Sequence, residues 1–298
     1  MKKTILFVLC VILCLSGCSF LQEPTTVPTT AQPEPVYVTD VNGRLVPAFK
    51  DVVFSSLSPT LFSVGENGRM QYADPAVETF TGIDVSVFQG NIDWEAVKAD
   101  GIDFVMLRAG YRGYGEKGIM GEDDNFRKNC AAANAAGLHV GAYFFSQAIS
   151  PEEAVEEAEF MLDVIDGCDL TYPIVFDLEE IDYDEARTDD LPANVASECA
   201  IAFCERIRET GREPMIYINC EQGYFRYDLP LLSGYQFWLA EYSELPSFVY
   251  EYKMWQYSTE GSVSGIEGNV DLNISVVDFS VKTETEPEMT AAPTNDAA

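Results

Sequence analysis

From residue 82 onward, short apolar runs alternate with stretches that repeat their apolar residues at helical spacing. Runs at 82–86, 104–109, 138–145, 173–179, 214–219, 236–241, 252–257 and 269–274 have strand length and are flanked by Gly, Pro, Asn and Asp. Helical periodicity falls at 93–100, 123–136, 151–166 and 191–210. Strand and helix alternating in this way predict a largely parallel α/β sheet. Eight strands, with helices mainly between the first five, predict an irregular TIM-like (β/α) barrel over 80–281.

Upstream the pattern changes. Asn42-Gly43 and Asn67-Gly68 each lie between apolar-containing flanks, and Asn-Gly supplies the positive φ angles of a tight hairpin turn. They predict a small β appendage at 37–79, packed on the barrel. Residues 18–36 are rich in Thr, Pro, Gln and Glu, and 282–298 have the same character. Such segments cannot bury a core and read as a disordered tether and tail. The first 17 residues open with Lys2 and Lys3, continue as an uncharged apolar run from Thr4 to Leu15, and end on small residues, as a signal peptide does. Leu15-Ser16-Gly17-Cys18 resembles the bacterial lipoprotein processing box, which implies cleavage before Cys18 and a lipid anchor on its sulfur. The expected location is therefore extracytoplasmic, on the membrane and facing the cell wall.

Charge narrows the partners. A net charge of −31 repels nucleic acid and anionic lipid surfaces, so a role neutralising phosphates is excluded. Beyond Cys18 there remain Cys130, Cys168, Cys199, Cys204 and Cys220, an odd number with no Cys-x-x-Cys spacing, so no structural zinc site is expected. Most read as small buried hydrophobes. His139 is the sole histidine and lies at a strand start, the wrong end of a barrel for a catalytic triad or a His-ligated metal.

The chemistry is concentrated at the end of the fourth strand, Pro173-Ile174-Val175-Phe176-Asp177-Leu178-Glu179. Side chains alternate along a strand, so Asp177 and Glu179 emerge on the face of Val175, roughly 6 to 7 Å apart at Cβ. Two carboxyls this close raise the cost of ionising both, and one that stays protonated near neutrality is what glycosidic cleavage requires. The plain alternative is a solvated strand end, since Glu180, Asp182, Asp184 and Glu185 follow. Barrel chemistry collects where strands end. The same alternation sends Asp84, Ser86, Arg108, Tyr143, Phe145, Tyr217, Asn219, Trp238, Tyr242, Gln256, Asp271 and Asn273 to that mouth. Acids among aromatic rings suit sugar binding by stacking and hydrogen bonds, although any single ring has core packing as its ordinary role.

These residues also resemble a known family. Gly82-Ile83-Asp84-Val85-Ser86-Val87-Phe88-Gln89-Gly90, Ile92-Asp93-Trp94, Phe104–Tyr111, Gly141-Ala142-Tyr143, Asp177-Leu178-Glu179, Trp238–Tyr242, Trp255–Ser258 and Val270–Asn273 are similar, in order, to blocks of glycoside hydrolase family 25, the N-acetylmuramidase lysozymes. The resemblance implies cleavage of the β-1,4 bond between N-acetylmuramic acid and N-acetylglucosamine in peptidoglycan, without metal or organic cofactor, and a monomer is expected. It implies Glu179 as proton donor and Asp177 as its partner, either attacking directly or assisting the substrate's own acetamido group. Assistance is favoured, because so close a pair leaves little room for a water between acid and base. Asp84 joins the catalytic set, and Asp271, Tyr143, Tyr217, Trp238, Tyr242, Gln256, Asn273 and Arg108 are expected to bind substrate. Phe88 stands where that family often has Trp, and Phe144 and Phe145 where it often has polar rings. The rival expectation is a non-catalytic peptidoglycan-binding lipoprotein. The clustered acids argue against it, being costly to hold for binding alone.

Overall fold

A computed structural model describes residues 36–181 and 184–281. The signal peptide, the Cys18 anchor, all but residue 36 of the tether, and the tail from 282 lie outside the described residues.

Four short strands come first. β1 (Val36–Thr39) pairs with β2 (Leu45–Ala48), and β3 (Phe62–Val64) with β4 (Met70–Tyr72), each antiparallel. Gly43 and Gly68 take φ of 78° and 74° in the two turns, the left-handed region glycine enters without steric cost. Arg44, next to the first turn, pairs with Asp40 at 2.9 Å and donates to Ser247 Oγ.

The main sheet is a closed barrel of eight strands. β5 (Phe80–Val85), β6 (Phe104–Arg112), β8 (His139–Ser146), β9 (Ile174–Leu178), β10 (Pro214–Asn219), β11 (Gln236–Ala240), β12 (Met254–Gly261) and β13 (Val270–Ser275) neighbour one another in that order, and β13 closes on β5. The predicted runs match these strands to within a few residues. The pairing is parallel except around β13, which runs antiparallel to both β12 and β5. A direct return from β12 to β13 leaves no chain for a crossover helix, which explains why helices thin out in the last third. A short β7 (Met120–Glu122), absent from the sequence reading, pairs with the end of β6. The helices α1 (Trp94–Ala99), α2 (Phe126–Ala135), α3 (Pro151–Val164) and α4 (Ala193–Arg208) follow the predicted segments. Ser150 caps α3 through its hydroxyl, with Pro151 at the first helical position, where a missing N–H costs nothing.

Two apolar cores result. One lies between sheet and helices, where Cys130, Cys199 and Cys204 are buried as small hydrophobes. The other fills the barrel interior with Phe104, Met106, Val175, Met215, Trp238 and Met254. Glycines admit that filling. A Cβ at Gly82 would sit 2.1 Å from the Phe104 ring, and one at Gly141 would sit 2.5 Å from the Met106 sulfur. Because bulky side chains close the lower barrel, the polar residues farther along the same strands gather in a trough at the top.

Candidate active site

The trough has a volume of about 240 Å³ and lies at the C-terminal ends of the parallel strands. Its acids come from two of them, β5 and β9, and from the start of the antiparallel β13. Asp84 and Asp271 face each other directly across the β5–β13 pairing, and Asp177 and Glu179 come from the end of β9. Asp177 is buried, whereas Glu179, just past the strand, is half-buried.

Hydrogen bonds fix the floor. The hydroxyls of Tyr217 and Tyr242 each donate to Gln256 Oε1 at 2.8 Å, which turns the Gln256 amide so that Nε2 donates to Asp84 Oδ2, also at 2.8 Å. The Trp238 indole can only donate, so Asn273 must offer it Oδ1 (2.8 Å) and give its Nδ2 to the same Asp84 oxygen (2.7 Å). Two amides with fixed orientations therefore hold one Asp84 oxygen, leaving the other side of the carboxyl toward Asp271.

On the opposite wall, Asp123 Oδ2 accepts from Arg108 Nε and from the Val87 backbone N–H, both at 2.9 Å. This ties β6 to the turn after β5. That turn is a one-turn 3-10 helix, Val87–Gln89, with Gln89 Oε1 accepting from the Ser86 N–H (2.8 Å). It holds Phe88 out over the trough, 81% exposed, with the Arg108 guanidinium 4.9 Å from its ring centre.

Burial dominates the acid–base character. It raises Glu179 to about 7, with the Asp271 charge adding to the shift. Asp177 rises well above the usual carboxylate range, from burial first, then the charges of Glu179 and Asp84, with Arg108 opposing. Asp84 rises for burial and the Asp271 charge, and its two amide donors pull the other way. Burial raises Asp271 as well. Asp177 and Glu179 thus resist ionising together, and Arg108 offsets part of the rise at Asp177. Asp177 Oδ1 is buried with no hydrogen-bond partner among the described residues, a costly state unless a ligand group meets it.

A model of the glycosyl hydrolases of family 25 matches residues 83–266, more than half of the chain. The chain belongs to glycosyl hydrolase family 25. Among proteins similar to this family-25 chain, the autolytic lysozyme of Clostridium acetobutylicum is 28% identical over 194 residues, 64% of this chain and 54% of that protein. The chain therefore spans about half the length of that relative. The uncharacterized protein YegX of Escherichia coli K12 is 31% identical over 214 residues, 67% of this chain and 71% of that one. The bacterial lysozyme of Streptomyces coelicolor superposes with a TM-score of 0.54 at 26% identity, covering 65% of this chain and 90% of that one. The spore cortex lytic enzyme SleM of Clostridium perfringens gives 0.57 at 25% identity, covering 69% of each.

Within the family-25 barrel, Asp84, Arg108, Tyr143, Asp177, Glu179, Tyr217, Trp238, Tyr242, Gln256 and Asp271 all line the trough, as alternation predicts. Three of the residues expected at the mouth are placed deeper or turned away. Asn273 is fully buried beneath the floor, where it holds Asp84. Trp238 borders the trough from below, 1% exposed and packed edge-on between Tyr143 and Tyr217. Asn219 turns its side chain to the Gln222 backbone N–H instead of into the trough.

Around the trough and its continuations, the exposed aromatic faces among the described residues are Phe88, Tyr242 and Tyr111. Tyr111 lines a groove of about 580 Å³ that continues the trough past Phe88 and Arg108. Simple alternation misplaces it, because a bulge in the β6–β8 pairing between Arg108 and Gly110 shifts the inward face by one residue. Gly110 in mid-strand is the signal that could have found it. Gln147 and Gln222 also escape the sequence pattern. Gln147 Nε2 donates to the Glu179 carbonyl (3.0 Å) and Gln222 Nε2 to the Leu178 carbonyl, bracing the main chain that carries the acids. Both sit in segments with no readable period.

Proposed function

We propose that this chain hydrolyses peptidoglycan, cutting the β-1,4 bond between N-acetylmuramic acid and N-acetylglucosamine, with Glu179 as proton donor and Asp177 assisting. The observation that carries this reading is the pairing of a half-buried Glu179, raised to about 7, with a buried Asp177 oxygen that lacks a partner. A carboxyl protonated near neutrality can give its proton to the leaving glycosidic oxygen. The orphaned Asp177 oxygen accepts the substrate's acetamido N–H. This aligns the acetamido carbonyl oxygen to attack the anomeric carbon as the bond to the leaving sugar breaks. The resulting oxazolinium ion is stabilised by the Asp177 charge. Water, deprotonated by the Glu179 carboxylate, then opens it with retention. Asp84, with Asp271 across from it, supports the oxocarbenium-like transition state from the floor, and Tyr143, Tyr217 and Gln256 shape the sugar site.

Wall-degrading names among the relatives support an extracytoplasmic place of action. Anchoring through Cys18, with residues 18–36 as tether to the barrel, is part of the proposal. The deciding measurement is release of reducing ends from purified peptidoglycan by lipid-free protein. Steady release that disappears in Glu179→Gln, while glycan binding persists, supports the reading. Tight binding with no release by the unaltered chain would instead favour the lectin-like rival.

A further inference from the structure

Beside the trough lies a second groove of about 790 Å³, separated from it by Tyr242, which lines both. One wall is the barrel, at 242–244 and along the extension of β12 to Ser262. The other is the β3–β4 hairpin, through Val64, Asn67 and Gly68. The match to the family begins at residue 83, so this second wall lies outside it. The groove opens from the trough on the Tyr242 side, whereas the groove past Phe88 and Tyr111 leaves from the Arg108 side.

The hairpin is fixed in place. Arg69 is buried and donates to Asp100 Oδ2 at 2.7 Å and to the Ser262 carbonyl at 3.0 Å. The Met70 N–H donates to the Tyr257 hydroxyl, and Phe62 meets Trp255 edge-on with ring centres 5.1 Å apart. A wall held by buried polar contacts and core aromatics costs little ordering when a ligand enters. Its chemistry is also selective. Among the described residues Arg69 is the one cation lining the groove and is consumed by Asp100, so recognition there rests on neutral contacts and not on pairing a ligand's charge. Hydroxyls of Ser258 and Thr259, the exposed Asn67 amide, and two exposed apolar surfaces, Val64 at 61% and Tyr242 at 57%, suit the mixed polar and C–H faces of pyranose rings.

We infer that the β3–β4 hairpin builds an accessory stretch of the cleft that holds the peptidoglycan glycan strand beyond the cleaved bond. The inference rests on the proposed hydrolase reading for its substrate class. It predicts preference for long strands over a single tetrasaccharide, provided by a segment outside the catalytic barrel.

The test uses glycan strands freed of stem peptides, long and tetrasaccharide, with the whole chain and its Val64→Trp and Thr259→Val variants, which alter opposite walls. For both variants KM on long strands is expected to rise roughly tenfold, one decade of affinity, with tetrasaccharide turnover unchanged. Binding to Glu179→Gln, alone and combined with Val64→Trp, is measured in parallel. Loss of length-dependent binding in the combined variant supports the inference even where the unaltered chain proves inactive, an outcome that sinks the hydrolase reading alone. Equal affinity of Glu179→Gln for long strands and tetrasaccharide, or no effect of either wall variant, overturns the inference and leaves hydrolysis standing.

Discussion

The lower and upper halves of the barrel interior are made by the same strands and have opposite chemistry. Below, Phe104, Met106, Val175, Met215 and Met254 fill the space and are fully buried. Above, residues farther along those strands and their neighbours place four carboxyls in a trough, each raised in pKa, with one buried oxygen unpartnered. The lower half lowers the free energy of folding through burial. The upper half raises it, and that cost is typical of a site arranged for a ligand. Stability and activity should therefore separate along the barrel axis.

The sharpest break is Glu179→Gln, expected to cut turnover by about 10²- to 10⁴-fold, the usual contribution of a general acid, and to leave the fold intact. Reducing-end assays and a melting curve on the same sample check both halves of that statement. Phe104→Ala should do the reverse, destabilising by about 3–5 kcal/mol through the cavity it leaves under the trough. Urea unfolding measures the loss, and turnover per folded molecule should stay near that of the unaltered chain.

pH sharpens the contrast. The proposed donor works only while protonated, so activity should fall as pH rises through about 7. Replacing Asp271 with Asn removes a charge that raises Glu179, so that alkaline limb should move to lower pH in the rate profile. Stability follows the same sign. The trough acids bind protons more tightly folded than unfolded, so their contribution is complete below the ordinary carboxyl pKa of about 4 and is lost as pH rises through the raised values. The melting temperature should accordingly be lower at pH 8 than at pH 5, and less so in Asp84→Asn. The smallest expected effect is that of Phe88→Ala at the exposed rim, about 1 kcal/mol in glycan binding, read as a higher KM at unchanged kcat.

The eight strands were legible because each is an apolar run bounded by turn residues, and the four helices because their apolar positions recur at helical spacing. The acids were legible as well, since period-two alternation along β9 carries the inward face of Val175 to Asp177 and then to Glu179. Alternation failed where the backbone left regular pairing, at the β6 bulge that turns Tyr111 into the groove. It also could not rank depth. Trp238 and Tyr242 are four residues apart, yet one is sealed in the core and the other exposed, because β11 ends at Ala240 and Tyr242 lies beyond it at the rim.

The sequence alone determined which residues form strands and which side of each strand carries the acids, because both are local consequences of side-chain spacing. Tertiary structure decided how those strands close, that β13 runs antiparallel to its neighbours, and that Asp84 faces Asp271 across the final seam. It also decided that Asn273 and Trp238 support the floor from below and that an N-terminal hairpin walls a second groove. Register between distant strands and depth within a barrel depend on how bulky side chains such as Phe104 and small residues such as Gly82 fit together. That fit is a property of the assembled core, not of any segment read by itself.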